Sequence, residues 1–523
     1  MRNLSIIYPQ KITSNLNIIY ASIIRFIIII SCIEISLYPS LNTLYAIIIS
    51  IIGIKICKRF ISTTYNLLYY PISTLTIIFY NLFFFIMPIP ATLLEFKPVT
   101  YNLHSTLNTY THLLLLLIVL IIIHLLYKHL SQKRNFIRSI LFKTPFFSQF
   151  TSSEIWCLIT FSSIFYIYLI FNHGLYNEDN SNTISTLPTS LYIINLLVSG
   201  YHSTLYIFLF RKFNIIKNNY KTRIKVIIML TLILFITGII TNMRTAAVLT
   251  LANAFFMFII YILYFTPPLK RLFKPKIIIP LLLLILFLTG PFLEISKAMI
   301  IVRGERSGAS GIEMLHKTIE ALNKTKKEEN TRTLSNNSII WDETYLSNSL
   351  LNRFCSIKIL DETLYHAQRI GYNNSTMKKI LWSKLIETMP QFIKNQIGFT
   401  PQKGTLTDNL YRLSINSSTD FGGARIGTLQ GLGMAIFGYW YLVILIPIFI
   451  IIFYLLDSTV VYRKNHMIFS LWFFANILNI CYYFSDRHYY QYEFRYITRT
   501  FIESIVFNIM TIILVKRIPF IKH

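Results

Sequence analysis

Runs of about twenty consecutive apolar residues recur along this chain of 523 residues, broken by short polar connections. A bilayer core about 30 Å thick is crossed by a helix of roughly that length, so these runs restrict the fold more than any other feature. Twelve are found: Ile18 to Tyr38, Leu41 to Ile54, Asn66 to Ile89, Thr111 to Tyr127, Ser153 to Phe171, Thr189 to Phe210, Val226 to Ile240, Thr245 to Phe265, Ile277 to Ile295, Ala435 to Leu456, His466 to Phe484 and Thr500 to Val515. The second, seventh and twelfth are short for a full crossing. The expectation is an all-α polytopic integral membrane protein of about 12 transmembrane helices, ten at the fewest. Hydrophobic residues make up 54% and charged residues 14%, with mean hydropathy +0.54; that balance excludes an ordinary soluble domain and a disordered chain.

The first fifteen residues carry only Arg2 and Lys11 as charges, and no small-residue cleavage site follows the first apolar run. It reads as a retained span and not as a removed signal peptide. Cys32, Cys57, Cys157, Cys355 and Cys481 are scattered without a CxxC pair, which offers neither a disulfide framework nor a thiolate metal site.

The net charge of +27 would suggest nucleic acid as the partner of a soluble chain. Here the positions of the basic residues explain it. Lys and Arg gather in alternate loops, at Lys55, Lys58 and Arg59, at Lys128 through Lys143, at Arg211 through Lys225, at Lys270 through Lys276, at Arg463 and Lys464, and at Lys516 through Lys522. Cytoplasmic loops carry such an excess. Both termini are therefore expected in the cytoplasm, membrane lipid is expected as a partner, and nucleic acid is not.

One connection stands apart. Residues 297–427 form a segment far beyond ordinary loop length, which divides the chain into nine spans in 1–296, a large outer domain in 297–427, and three spans in 428–523. Its sequence supports helices: Gly311 to Glu329 has Ile312, Leu315, Ile319 and Leu322 at helical spacing, and Thr376 to Met389 repeats the pattern with Ile380, Leu381 and Leu385 before Pro390. Asp361 is placed to cap a helix from Glu362 to Ile370. Such helices suit either a membrane surface or packing on one another. The segment has a surplus of basic over acidic residues on the side where the topology rule requires none, which points to an anionic ligand outside the membrane, although lysines such as Lys324, Lys326 and Lys327 beside Glu328 and Glu329 read as a solvated surface.

The arginines are the sharper signal, because guanidinium matches phosphate oxygens in a bidentate way and stays charged. Arg244 lies in Thr241-Asn242-Met243-Arg244-Thr245, a turn too short to leave the interface between two uncharged spans; Arg303 and Arg306 follow the ninth span; Arg412 and Arg425 precede the tenth. Snorkelling to lipid head groups is the plain alternative for each. Glycines concentrate at Gly422, Gly423, Gly427, Gly431, Gly433 and Gly438. Close helix packing accounts for Gly431 and Gly438, whereas Gly422 and Gly423 beside Asp420 and Arg425 look like a site. His316 and His366 are single histidines on amphipathic segments. There is no HExxH, GxSxG or Walker-type loop, and the first outer loop, Pro39 to Ser40, has no acidic metal-holding residues, so no metal ion and no cofactor is expected.

The many spans, the arginine-bearing turn Asn242-Met243-Arg244-Thr245-Ala246, the single large outer segment, and the Gly-rich return through Phe421-Gly422-Gly423 and Gly431-Leu432-Gly433 to Gly438-Tyr439 together make a pattern. It resembles the oligosaccharide repeat-unit polymerases, the Wzy-type O-antigen or capsule polymerases of bacterial inner membranes. The resemblance implies a GT-C-like membrane glycosyltransferase at the outer face of the inner membrane, which moves a glycan from undecaprenyl diphosphate onto the next lipid-linked repeat unit, with a polysaccharide chain-length regulator as a candidate partner. Some members carry Arg-x10-Gly in an outer loop, and Arg412 to Gly423 fits. Members with two comparable large loops differ from this chain, which has one. Two related functions are the alternatives. O-antigen ligases carry His-[Asn/Ser/Gln]-x9-Gly, which neither His316-Lys317 nor His366-Ala367 fits. A lipid-linked oligosaccharide flippase would use internal repeats and midplane charges, and here only Arg25 and Glu34 in the first span would serve. For the polymerase reaction, Arg244, Arg303, Arg306 and Arg425 are expected to meet diphosphate, and the base is expected to be Asp420, then Glu305, then His366.

Overall fold

The structure is a computed structural model. It describes residues 8–131, 135–173, 188–265 apart from 199, 214, 217–222 and 241–243, 290–302, 311–325, 341–417 apart from 349–350, 353, 390 and 401, 425–483 and 490–517, with a few isolated positions between 267 and 287. Among these residues eight helical stretches are long and apolar enough to cross a membrane: Pro9–Leu37, Leu41–Phe60, Pro71–Leu94, Thr106–Leu130, Ser152–Leu169, Ser190–Leu209, Leu429–Asp457 and Tyr490–Arg517. Ile224–Ile240 and Leu249–Phe265 are shorter apolar helices. The protein is thus all-α and membrane-embedded.

Local chemistry sets the boundaries. Ser40 caps the Leu41–Phe60 helix, its Oγ accepting from Thr43 N at 3.0 Å, and Lys58 and Arg59 close the last turn, where cations suit the helix dipole. The Pro71–Leu94 stretch is jointed: an α-helix to Asn81, a π-helical turn at Leu82–Ile86, then a restart at Pro88, since proline lacks the N–H that would continue the ladder. Tyr45 donates to or accepts from Thr111 Oγ1 at 2.8 Å, so the starts of the Leu41–Phe60 and Thr106–Leu130 helices share one end of the bundle. Lys128 lies over the Tyr65 ring at 4.6 Å, which puts Lys58, Arg59, Tyr65 and Lys128 at the other.

Three expectations change here. The run from His466 to Phe484 is not one helix. Val460–Arg463 and His466–Phe469 form an antiparallel hairpin with Val460 opposite Phe469, turned through Lys464 and Asn465, both at positive φ. Two short helices follow, Leu471–Ala475 and Ile477–Cys481. Ser470 starts the first with a side-chain cap, and the second begins after Asn476, whose side chain donates to Trp472 O; local side-chain bonds compete with a continuous helix. The ninth run falls mostly outside the described residues, apart from Pro291–Ile301.

The second change concerns the 297–427 segment. Its expected helices are present as Gly311–Thr325 and Ser375–Glu387. Gly311–Thr325 packs on Pro291–Ile301 around Ala298, Val302, Met314 and Ala321. The helix expected from Glu362 starts at Ile357 and runs to Ile370, and it is buried on nearly every side. Ile357, Leu360, Leu364 and Ala367 belong to the same hydrophobic core as Leu113, Leu116, Leu432 and Leu445 of the spans. It packs tightly on Leu429–Phe437, where a Cβ on Gly431 would stand 2.5 Å from Thr363 Cβ. This part of the segment is joined to the membrane body through packing. Asp361 therefore lies inside its helix and does not cap it. Gly438 differs from the close-packing expectation as well: among the described residues nothing lies nearer than 3.6 Å to its would-be Cβ, and its φ of +60° with ψ of −149° is the feature that requires glycine.

Candidate functional site

Lys358, Asp361, Glu362 and His366 occur at helical spacing on Ile357–Ile370, so they share one face. All four are buried. The Lys358 ammonium stands 2.9 Å from Glu362 Oε2 and 3.3 Å from Asp361 Oδ2. Asp361 also caps the start of the Thr106–Leu130 helix, accepting from His104 N at 2.8 Å, Ser105 N at 3.0 Å and Thr109 Oγ1 at 2.9 Å. That contact brings His104 into the group. Its Nε2 lies 2.9 Å from Glu362 Oε2, and its ring stacks on Tyr365 with centroids 4.0 Å apart and planes at 9°.

Glu362 thereby bridges two histidines, because its Oε1 is 3.2 Å from His366 Nε2 and also accepts from Asp342 N at 3.2 Å. Burial alone would raise its carboxyl; hydrogen bonds from His104, His366 and Lys358, and the charge of Lys358, outweigh that and hold it well below the usual carboxylate range. An ionised carboxylate only accepts, so Nε2 is assigned as the donor in both histidines. In a neutral His104 the remaining nitrogen, Nδ1, then carries the lone pair. The His104 side chain is 37% exposed, and its ring is held by the stacked Tyr365 and by the Glu362 carboxylate.

His366 is different. It is fully buried, its Nδ1 is 2.6 Å from Ser414 Oγ, and Trp341 stacks on it at 5.0 Å. With both nitrogens engaged it supports Glu362 and is not placed to take a proton from a substrate. Tyr411 meets the edges of His366 and Trp341, at 5.2 and 6.0 Å. Arg425 lies 3.9 Å over the Tyr411 ring, with Nη1 3.4 Å from Asp408 Oδ1. Glu343 Oε1 accepts from Trp341 Nε1 at 2.9 Å and from Ile426 N at 2.7 Å, which fixes the backbone beside Arg425.

His104, Asp361 and Glu362 offer ligand atoms within 4.8 Å of one another, a spacing that suits a metal ion. The Lys358 ammonium already stands between the two carboxylates, and both Asp361 oxygens accept backbone protons. The donor set therefore fits an internal cation better than an added one.

Of the residues expected from sequence, Arg425 joins this cluster. Arg412 does not: its Nε donates to Ser417 O at 3.1 Å and its Nη1 to Asn409 Oδ1 at 3.4 Å, closing the end of the Leu406–Ser414 helix. Arg244 opens the Arg244–Phe265 helix, but its side chain, like Arg303, Glu305, Arg306, Asp420, Gly422 and Gly423, lies outside the described residues. His316 is exposed on the Gly311–Thr325 helix. Arg25 and Glu34 do not form a pair: Arg25 is exposed, and Glu34 is buried with Oε1 accepting from Val99 N. Sequence reasoning missed His104, Lys358 and Glu362. The available signal was the spacing Lys358, Asp361, Glu362, His366, which reads as a solvated face until the helix is known to be buried. No protein family, curated protein or solved structure gives a match to this chain.

Proposed function

We propose that this protein polymerises lipid-linked oligosaccharide repeat units by metal-independent glycosyl transfer, with the His104 end of the bundle facing outward from the inner membrane and the basic end facing the cytoplasm. The observation that carries the reading is the exposed His104 imidazole held by the buried, ionised Glu362. General-base catalysis needs a basic atom in fixed orientation at the surface where substrate arrives. Arg425 adds a cation over the buried Tyr411 ring that meets His366, and the half-buried Tyr365 and Trp341 add aromatic rings that suit the apolar faces of sugars.

In this reaction the acceptor hydroxyl of one repeat unit attacks the anomeric carbon of the donor glycan and gives its proton to His104 Nδ1. The bond from that carbon to the carrier diphosphate breaks, and the electron pair leaves on the diphosphate. Arg425, together with Arg244, Arg303 and Arg306, stabilises the charge that develops there. Asp420 is the second base of this proposal. The membrane body around the site follows the GT-C-like plan of membrane glycosyltransferases in this reading.

The test is turnover of a synthetic polyprenyl-diphosphate-linked repeat unit by purified protein. His104→Gln is expected to lower kcat by about 100-fold or more while leaving membrane insertion intact, and Arg425→Gln to raise KM and lower kcat together. Unchanged turnover in His104→Gln, Arg244→Ala and Asp420→Asn alike would remove the site. Transfer to a different acceptor without polymer growth would make the protein a ligase-type transferase.

A further inference from the structure

The basic end of the bundle holds a second polar feature, independent of the glycan site. The first helix, the end of Leu41–Phe60 and the start of the Thr64–Tyr69 helix leave a cleft of about 300 Å³. Thr13, Asn17, Tyr20, Lys58, Ser62, Thr63 and Thr64 supply its polar lining, and among the described residues no acidic one lines it. Its walls are fixed. Tyr20 and Ser62 are buried and their hydroxyls bond to each other; Thr13 Oγ1 and Thr64 Oγ1 are 2.6 Å apart; Asn66 N donates to Thr63 Oγ1 at 3.2 Å. Both hydroxyls also reach Cys57 Sγ, at 3.8 and 4.0 Å, which holds this wall in place.

One full positive charge, several hydroxyls and no carboxylate describe a site for a singly charged, oxygen-rich anion. We propose that this cleft binds the phosphodiester head of an anionic glycerophospholipid, with Lys58 on the phosphate and the threonine and serine hydroxyls on its oxygens and on the head-group alcohol. Two observations select a lipid over a soluble phosphate. Lys58 ends a helix that is long and apolar enough to span the membrane, so the cleft lies at head-group depth. Ile18 and Tyr65, next in sequence to Asn17 and Thr64, are 52% and 46% exposed and offer apolar surface where acyl chains would begin. Basic pockets between spans on the cytoplasmic side suit such heads. The absence of a lining carboxylate also selects an anionic head over a zwitterionic one, whose ammonium would meet Lys58 and the neighbouring Lys55 and Arg59 with no counter-charge.

The experiment uses delipidated full-length protein in neutral detergent and follows its thermal midpoint against added phosphatidylglycerol, phosphatidylcholine or inorganic phosphate. Phosphatidylglycerol is expected to raise the midpoint saturably, and the other two to have little effect. Lys58→Gln is expected to weaken the apparent affinity by about tenfold or more. Arg59→Gln, which removes the same charge one residue away and outside the cleft lining, is expected to weaken it less than about twofold. Equal weakening by both variants would reduce the effect to general basic attraction and overturn the proposal, as would an unchanged affinity in Lys58→Gln. A midpoint shift with inorganic phosphate as large as with the lipid would overturn the lipid assignment. Should Lys58→Gln fail to insert, Ser62→Ala and Thr64→Val read the same cleft, and affinity unchanged in both would refute it.

Discussion

Replacing Glu362 by glutamine measures how far charge holds the central cluster together. The Lys358 ammonium has two anions in reach, Glu362 at 2.9 Å and Asp361 at 3.3 Å, with all three side chains about 1% exposed. At an effective dielectric of about 20 these separations correspond to roughly 6 and 5 kcal/mol of Coulomb attraction. Desolvation of the same groups opposes most of that. Glutamine keeps the shape of the side chain but removes the closer anion and one of the two acceptor oxygens that serve His104 and His366. Leaving a buried charge short of a partner costs about 3–5 kcal/mol, and Asp361 remains, so the expected loss lies near 3 kcal/mol. Unfolding in mixed detergent micelles at neutral pH reads it. Lys358→Met combined with Glu362→Gln takes away the stranded charge, so the pair is expected to cost less than the sum of the single variants by about 2 kcal/mol. Single effects that add to within about 0.5 kcal/mol, or a Glu362→Gln loss below about 1 kcal/mol, would refute the reading of Glu362 and Lys358 as a coupled buried ion pair.

The depressed Glu362 carboxyl fixes the sign of a pH effect. Its stabilisation is complete above the unfolded carboxylate value of about 4.3 and is lost as pH falls toward the lower folded value, so acid titration should destabilise the native protein more steeply than Glu362→Gln. Gly431→Ala would drive a methyl into Thr363 at 2.5 Å and is expected to cost about 1–3 kcal/mol, with partial recovery in Gly431→Ala/Thr363→Gly, read by the same unfolding measurement. Asp457→Ala would strip acceptors from Ile72 N at 2.6 Å, Ser73 N at 3.1 Å and Ser73 Oγ at 2.6 Å; a loss of about 2 kcal/mol or more is expected, and faster amide exchange at the start of the Pro71–Asn81 helix would locate it.

Apolar length made most of the spans legible, because twenty apolar residues in a row have few other solutions. Where length was the only signal it failed, as at His466 to Phe484: the Lys464-Asn465 turn and the breaking Asn476 are short-range devices that a hydropathy window averages away. The site was less legible still. Arg425 was found because an arginine beside glycines at a span end is unusual. His104 was not, since nothing in Tyr101-Asn102-Leu103-His104-Ser105 announces that Glu362, far along the chain, will hold it. Lys358, Asp361 and Glu362 have the spacing of an exposed ion-pair helix, and only tertiary packing shows that the face is buried. Asp361 was read as a cap for the helix that follows it; it caps a helix, but the one that begins at Thr106.

That last displacement has a general cause in this molecule. The chain holds 22 acidic residues against 49 basic ones, and several of the acids are spent on backbone donors distant in sequence. Asp457 holds the start of Pro71–Asn81, Asp361 the start of Thr106–Leu130, Glu34 takes Val99 N, Glu95 takes Ser347 N and Asn348 N at 2.8 and 2.7 Å, and Glu343 takes Ile426 N. In a low-dielectric interior a carboxylate offsets its desolvation through several charge-assisted bonds; helix starts supply the donors for Asp457 and Asp361, and Lys358 and Lys97 add a cation to Asp361 and Glu95. Three of the five contacts tie the 95–105 connection or residues 341–426 to another part of the chain. The part of the long segment around Ile357–Ile370 is therefore held to the spans by polar bonds as well as by packing. The His104 imidazole, set on a connection fixed at Glu95, Val99 and Ser105, is then held in orientation by the protein itself.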